Sequence, residues 1–383
     1  MKRIIILLLC AGMLAAVQPG SFAEEGIPIS APSAVLMALD GTVLYEKDAH
    51  TPREPASVTK VMTLLLVCEA VDSGKISLQD QVTASAHAAS MGGSQIWLEE
   101  GETMTVEDLL KCVTIVSAND CAVALGEYLS GSEMQFVEEM NRRAAELGMR
   151  DTHFVNACGL PAEGHLTSAY DIARMSAELL RAHPWITDYT LIWQDSVRGG
   201  ASELVNTNKL LKSYAGITGL KTGYTSSAGY CMSATAERDG LHLIAAVMAG
   251  KTRDERNRDA STLLDYGFSH YAAVTFTADT PILPIPVTMG EKAEVLCDLS
   301  EQQPLVLPKE QLQGVEKRLS LPEGLSAPVL KGDTVGMLEV YSGEALLCRV
   351  PVVACEEVPR LTWGKLFRTL LQCITMREEL EKS

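Results

Sequence analysis

Two β-type runs, Ala34 to Leu39 and Thr42 to Glu46, flank Asp40-Gly41, a dipeptide that accepts the positive φ of a type I′ turn, and together they predict a hairpin. Ser57 to Val71 contains no Gly or Pro and carries Leu, Val and Met on nearly every face, which predicts a buried helix in the middle of a domain. From Met104 to Leu180 the pattern is mainly helical, with Thr105-Val106-Glu107-Asp108 and Thr167-Ser168-Ala169-Tyr170-Asp171 supplying capping residues at helix starts. Strand patterning returns near Thr218, and Tyr230 to Glu237 and Leu241 to Ala249 surround a second hairpin signal, Asp239-Gly240. Strands at both ends with helices between them predict an α/β domain whose sheet unites the two ends. Beyond about Tyr271 the runs become short and β-type, including Val335 to Tyr341 and Ala345 to Ala354 joined at Ser342-Gly343, with prolines between, which predicts a smaller all-β domain.

The two ends of the chain read differently. Lys2 and Arg3 precede an apolar run from Ile4 to Val17, and Ser21-Phe22-Ala23 provides the small residues of a cleavage site, so residues 1–23 read as a secretory signal. That run of 14 residues falls short of the roughly 20 needed to span a bilayer. Cys10 follows Leu9 rather than a small residue, which gives a lipoprotein reading little support. At the other end, Arg360 to Arg377 holds four basic residues and no acidic one. At helical spacing Trp363, Phe367, Leu370, Leu371 and Ile374 form a stripe opposite Lys365, Arg368 and Gln372. Such a helix is too short and polar to cross a bilayer but suits the interface of an anionic membrane; the alternative is packing against the β-domain or a partner. The expected division is a signal peptide at 1–23, a catalytic domain at 24–270, a β-rich domain at 271–359 and an amphipathic tail at 360–383. The expected location is exported: peripheral on the outer face of the cytoplasmic membrane, or secreted.

Without the leader the chain has 30 basic against 49 acidic residues, a formal charge of −19, which argues against nucleic acid as a partner. Nine cysteines remain, without CxxC spacing and mostly in apolar stretches, and they read as small buried hydrophobes with no pairing legible. There is no GxSxG elbow and no HExxH, and Gly250-Lys251-Thr252 is not a phosphate loop because Ala245 stands at the required first glycine. Seven scattered histidines give a Ser-His-Asp triad no positive support. No metal and no organic cofactor is implied.

Three short motifs occur in order: Ser57-Val58-Thr59-Lys60, Ser117-Ala118-Asn119 and Lys221-Thr222-Gly223. An SxxK is expected about once by chance in such a chain and a KTG in roughly one chain of ten, so the order carries more than any member. Ser57 and Lys60 lie one helical turn apart, within reach of each other. A poorly solvated ammonium loses basicity, which makes neutral Lys60 a general base for the Ser57 hydroxyl, and Lys221 as a second cation would push the same way. The plainer readings are that Ser57 caps its helix, that Lys60 snorkels, that Ser117, Asn119 and Asp120 form a capping turn, and that Lys221 is a solvated strand lysine. On a strand, Lys221 and the Thr222 hydroxyl can grip a carboxylate while Gly223 permits close approach.

In this order the motifs resemble the penicillin-binding protein and serine β-lactamase superfamily, and more closely its low-molecular-weight D-alanyl-D-alanine carboxypeptidases. Pro55 to Thr63, Gly92 to Leu98, Val116 to Asp120, Thr152 to Phe154, Gly159-Leu160 and Gly219 to Thr225 all resemble that family, from about Ile27 to Pro359. The resemblance implies an α/β transpeptidase-like domain, an antiparallel sheet flanked by helices, followed by a small all-β domain and a C-terminal amphipathic helix. It implies Ser57 as the acylated nucleophile, Lys60 as its base and Ser117 as a proton relay. It further implies that Asn119 binds substrate backbone, that Lys221 and Thr222 hold the terminal carboxylate, and that the N–H groups of Ser57 and Tyr224 form an oxyanion hole beside Gly223. The substrate implied is the peptidoglycan stem peptide, with β-lactams entering the same route. Cys158 departs from the His or other polar residue that relatives often carry, which puts contacts of that loop in doubt. A β-lactamase is the enzymatic alternative, although no ExxLN segment lies between Ser117 and Lys221. A penicillin-binding sensor that stays acylated is the other.

Overall fold

The computed structural model describes residues 27–368. The proposed leader at 1–23 and the tail beyond Arg368 lie outside the described residues. Five antiparallel strands form the main sheet: β1 (Ser33–Ala38), β2 (Val43–Lys47), β5 (Ile217–Thr225), β6 (Gly229–Arg238) and β7 (Leu241–Gly250), in the spatial order β2-β1-β7-β6-β5. The sheet thus joins the two ends of the domain, as the patterning predicts. Strict alternation along β1 and β7 explains why both faces are covered. Val35, Met37, Ile244, Ala246 and Met248 enter one apolar core, and Leu36, Leu243, Ala245 and Val247 enter another on the opposite face.

The larger core holds helices α1 (Lys60–Asp72), α2 (Val106–Ile115), α3 (Asn119–Ser130), α4 (Glu133–Glu146) and α5 (Ala169–Ala182). Thr105 and Ser168 cap α2 and α5 by accepting from the N–H of Asp108 and Asp171, as expected from their positions. Every residue of α1 from Lys60 to Cys68 is buried, which explains the lack of a polar face in its sequence. Among the described residues all eight cysteines are free thiols, five of them buried.

Three features differ from the sequence reading. The stretch from about 147 to 168 is irregular, interrupting the expected run of helices. A hairpin of β3 (Gln194–Val197) and β4 (Ser202–Val205) was not foreseen, because its strands are short, half-exposed and without an apolar pattern. The helix α6 (Arg253–His270), which covers the second face of the sheet, hides its stripe because its first buried members are Arg256 and Asp259. The two hairpin turns also differ from each other. Asp239 and Gly240 both take left-handed φ of 50° and 76°, as type I′ requires, whereas at the first turn only Gly41 does, at 91°. There the Gly41 N–H bonds back to the Ala38 carbonyl, making a longer loop.

After His270 the chain enters strand Tyr271–Val274, which pairs with Leu305–Pro308. A four-stranded antiparallel sheet follows, ordered 297–299, 345–354, 334–342, 315–320, over two small cores that include Val352 and Val358 in one and Leu338, Val340 and Val350 in the other. Residues 363–368 are helical, with Trp363 and Phe367 exposed. Among the described residues no helix is long and apolar enough to cross a membrane.

Candidate active site

Residues 56–59 form a single 3-10 turn that runs into α1 and places Ser57 at its mouth. Ser57 does not act as a cap, and Lys60 does not snorkel. The Lys60 ammonium is fully buried and donates to Ser57 Oγ at 3.0 Å, Asn119 Oδ1 at 2.6 Å and the Cys158 carbonyl at 2.7 Å. Burial lowers its pKa to about 8, against the opposing pull of nearby negative groups that include Asp120. At pH 7 about a tenth of the molecules therefore carry the neutral amine that can accept a proton. The contact made by Cys158 uses its backbone oxygen, so the unusual side chain there leaves this bond intact.

Ser117 lies in the loop between α2 and α3, with φ of 66°, in a region that costs a non-glycine residue about 1 kcal/mol or more. Its neighbours hold it there. The Ala118 N–H bonds to Cys112 O at 3.1 Å and the Asn119 N–H to Ser94 O at 2.7 Å. The Asn119 amide donates to Gly92 O at 2.6 Å while its oxygen accepts from Lys60. The buried Asp120 carboxylate accepts from the N–H groups of Ile96 and Leu98, fastening the 92–98 loop beneath the site.

Lys221, Thr222 and Gly223 lie on β5, the edge strand that faces the Ser57 turn. A Cβ on Gly223 would stand 2.9 Å from Pro55 O and 3.0 Å from Ser57 N, so only glycine lets the strand approach this closely. Lys221 is also buried and donates to Ser117 Oγ at 2.8 Å and to Thr222 O at 2.9 Å. Burial first, then the charges of Lys60 and Arg256, push its pKa well below the usual lysine value. Burial is thus the main cause at both lysines; the charge of Lys60 adds to the lowering of Lys221, whereas the push of Lys221 on Lys60 expected from the sequence does not contribute. Thr222 Oγ1 meets Thr207 Oγ1 at 2.7 Å, and the exposed ring of Tyr224 lies against Tyr230.

Seven residues drawn from three distant motifs therefore converge, with Tyr224 following on the same strand, and the geometry offers two hydroxyl–amine pairs, Ser57 with Lys60 and Ser117 with Lys221, joined by one loop. Sequence reasoning missed the supporting shell. Arg256 contributes a buried guanidinium whose hydrogen bonds to a side chain go to Asn257 Oδ1 alone among the described residues. His165 and Thr59 brace the Ser57 turn at 2.8 Å. Gly159 passes so near that a Cβ would fall 1.9 Å from Ala56 O. In the sequence this segment is marked only by the resemblance of Thr152 to Phe154 and Gly159-Leu160 to the family and by the departure at Cys158. Among the described residues no group of His, Cys, Asp and Glu could hold a metal ion.

A family model described as D-alanyl-D-alanine carboxypeptidase matches residues 20–252, and one described as penicillin-binding protein 5, C-terminal domain, matches residues 274–360. The chain is 41% identical over 372 residues to the D-alanyl-D-alanine carboxypeptidase DacF of Bacillus subtilis, covering 94% of this chain and 95% of that one. Its structure is similar to penicillin-binding protein 6B of Escherichia coli, with a TM-score of 0.71 at 31% identity over 86% of this chain and 97% of that one. It is also similar to the ampicillin-bound form of penicillin-binding protein D2 of Listeria monocytogenes, with a TM-score of 0.59 at 35% identity over 63% and 99% of the two chains.

Proposed function

The chain belongs to the low-molecular-weight penicillin-binding proteins, the serine-type D-alanyl-D-alanine carboxypeptidases that act on peptidoglycan stem peptides, and on that footing we propose that Ser57 is its nucleophile and Lys60 the general base. The observation that carries the assignment is the contact of a buried, weakened lysine with a serine hydroxyl at the mouth of the edge strand. Neutral Lys60 takes the Ser57 proton as Oγ attacks the carbonyl between the two terminal D-alanines. The oxyanion that forms is held by the N–H groups of Ser57 and Tyr224. Collapse breaks the C–N bond, and the departing D-alanine amine receives a proton relayed through Ser117. Asn119 holds the substrate backbone, and Lys221 with Thr222 holds the terminal carboxylate beside Gly223. Water then attacks the acyl-enzyme, Lys60 takes its proton, and Ser57 is restored. A β-lactam follows the same route as far as the acyl-enzyme, a reading supported by the ampicillin-bound relative.

We assign the chemistry to a catalytic domain at 24–270 and regard 271–359 as a separate β-rich domain. The exposed Trp363 and Phe367 beside Arg360, Lys365 and Arg368 support peripheral attachment to an anionic membrane surface after export. The test of the central assignment is chromatography of a cell-wall pentapeptide after incubation with the protein, paired with intact mass spectrometry after benzylpenicillin. Release of D-alanine and an adduct on Ser57, both absent in Ser57→Ala, are expected. An adduct on Ser117 would overturn the assignment, and a stable adduct without peptide turnover would favour a sensor.

A further inference from the structure

Lys60 has three partners, and only one of them can give it a proton. Its ammonium donates to Ser57 Oγ, Asn119 Oδ1 and the Cys158 carbonyl, one N–H to each. Once neutral, the amine keeps two N–H groups and gains a lone pair. Amide oxygens only accept, so the two N–H groups stay on Asn119 and Cys158 and the lone pair is left facing the Ser57 hydroxyl. These two oxygens therefore aim the base. Asn119 is locked by its own bond to Gly92 O at 2.6 Å, but the Cys158 carbonyl lies in an irregular stretch with no helix or strand to fix its direction.

The Asn156 carboxamide supplies that lock. Its Oδ1 accepts from the N–H groups of Cys158, Gly159 and Leu160 at 3.2, 2.7 and 3.1 Å, and its Nδ2 donates to Leu160 O at 2.8 Å. The Cys158 carbonyl and the Gly159 N–H belong to one planar trans peptide unit, so they point in opposite directions. Holding the N–H on one side turns the carbonyl to the other, where Lys60 meets it at 2.7 Å. Ala157, the residue before, is pinned at both ends: its N–H donates to Glu133 Oε1 at 2.9 Å and its carbonyl accepts from Thr63 Oγ1 on α1 at 2.7 Å.

We propose that Asn156 is a positioning residue for the general base: by holding the Gly159 N–H it fixes the Cys158 carbonyl, which in turn points the Lys60 lone pair at Ser57. The inference rests on the assignment of Ser57 and Lys60 above.

The charged and titratable groups around Lys60 are Asp120 and Cys121 on α3, Lys221 on β5, the Cys158 thiol and His165 on the Asn156 segment, and Glu133 on α4 behind it. Burial raises both thiols and lowers His165 to about 4, so none of the three changes charge near pH 8.

The test is stopped-flow acylation by benzylpenicillin from pH 6 to 10, read as a rate constant so that unfolded molecules do not count, in the wild type, Asn156→Ala and Asn156→Asp. Asn156→Ala is expected to lower the high-pH plateau about tenfold and to move the midpoint of the rise to lower pH, because an ammonium that loses an acceptor is disfavoured. Asn156→Asp keeps an oxygen for the three N–H groups. It is expected to hold the plateau within about threefold and to move the midpoint to higher pH, because a carboxylate nearby favours the ammonium. A lowered plateau with an unmoved midpoint in Asn156→Ala would make the residue a structural prop and overturn the proposal, as would wild-type behaviour of that variant. Should Asn156→Ala fail to fold, Asn156→Asp decides, and a tenfold fall in its plateau overturns the proposal. Failure of the underlying assignment shows separately, as a wild type that benzylpenicillin does not label at Ser57.

Discussion

The imidazole of His165 meets the hydroxyl of Thr59 at 2.8 Å, two residues beyond Ser57. Its Nδ1 accepts from the Val155 N–H at 2.9 Å, so the proton sits on Nε2 and is donated to Thr59, whose own hydroxyl proton goes to Ala56 O. The neutral ring thus ties the 153–165 segment to the turn that presents the nucleophile.

Burial, and secondarily His153, lower the His165 pKa from 6.5 to about 4. Unfolded chains therefore bind a proton below pH 6.5 that the folded protein refuses until about pH 4, and stability falls as pH falls through this window by about 3 kcal/mol in total. Melting temperature measured from pH 8 to pH 4 is expected to decline mainly below pH 6.5. A His165→Asn variant, less stable at pH 8, should show a flatter decline.

Acylation should follow the protonation of Lys60. Below its pKa of about 8 the reactive neutral fraction falls tenfold per pH unit, so the second-order rate of benzylpenicillin acylation is expected to rise with pH and level off above about 8. Lys60→Ala should remove this limb and slow acylation by about a thousandfold or more. Stopped-flow acylation across pH 6 to 10 measures both.

Gly159→Ala should be among the most damaging single-methyl changes. The added Cβ would strike Ala56 O at 1.9 Å, at a residue with φ of 87°. A loss of roughly 3 kcal/mol or more, with acylation lost alongside because Ala56 precedes Ser57, is expected from denaturant titration and penicillin labelling. Gly41→Ala, with a similar φ and nothing within 4 Å, should cost only about 1 kcal/mol and leave labelling intact.

Lys221→Ala should lower kcat/KM for a free-acid peptide at least tenfold, roughly the worth of a charge-assisted hydrogen bond. It should also narrow the preference for that peptide over its C-terminal amide. Undiminished discrimination would show that the carboxylate is held elsewhere.

The protein is expected to sediment with anionic vesicles at low salt, whereas a variant ending at Pro359 should stay in the supernatant. If both forms remain in solution, the tail belongs to a protein interface.

The motifs and their local frame are legible in the sequence. Ser57 and Lys60 are three positions apart, so one turn of helix brings them together whatever the rest of the chain does, and glycine at 223 announces a close approach before any fold is known. Apolar patterning likewise disclosed the buried helix α1 and the hairpin β6–β7, because burial on all faces and a type I′ turn are written in neighbouring residues. Where local signals were absent, as in the half-exposed β3–β4 hairpin and in α6 with its charged stripe, the pattern was silent. The contacts between the motifs depend on the packed chain. Lys60 reaches Asn119 across 59 positions and Cys158 across 98, and Lys221 reaches Ser117 across 104. Burial in that assembly, not residue type, lowers both lysines, since loss of solvation depends on everything packed around a charge.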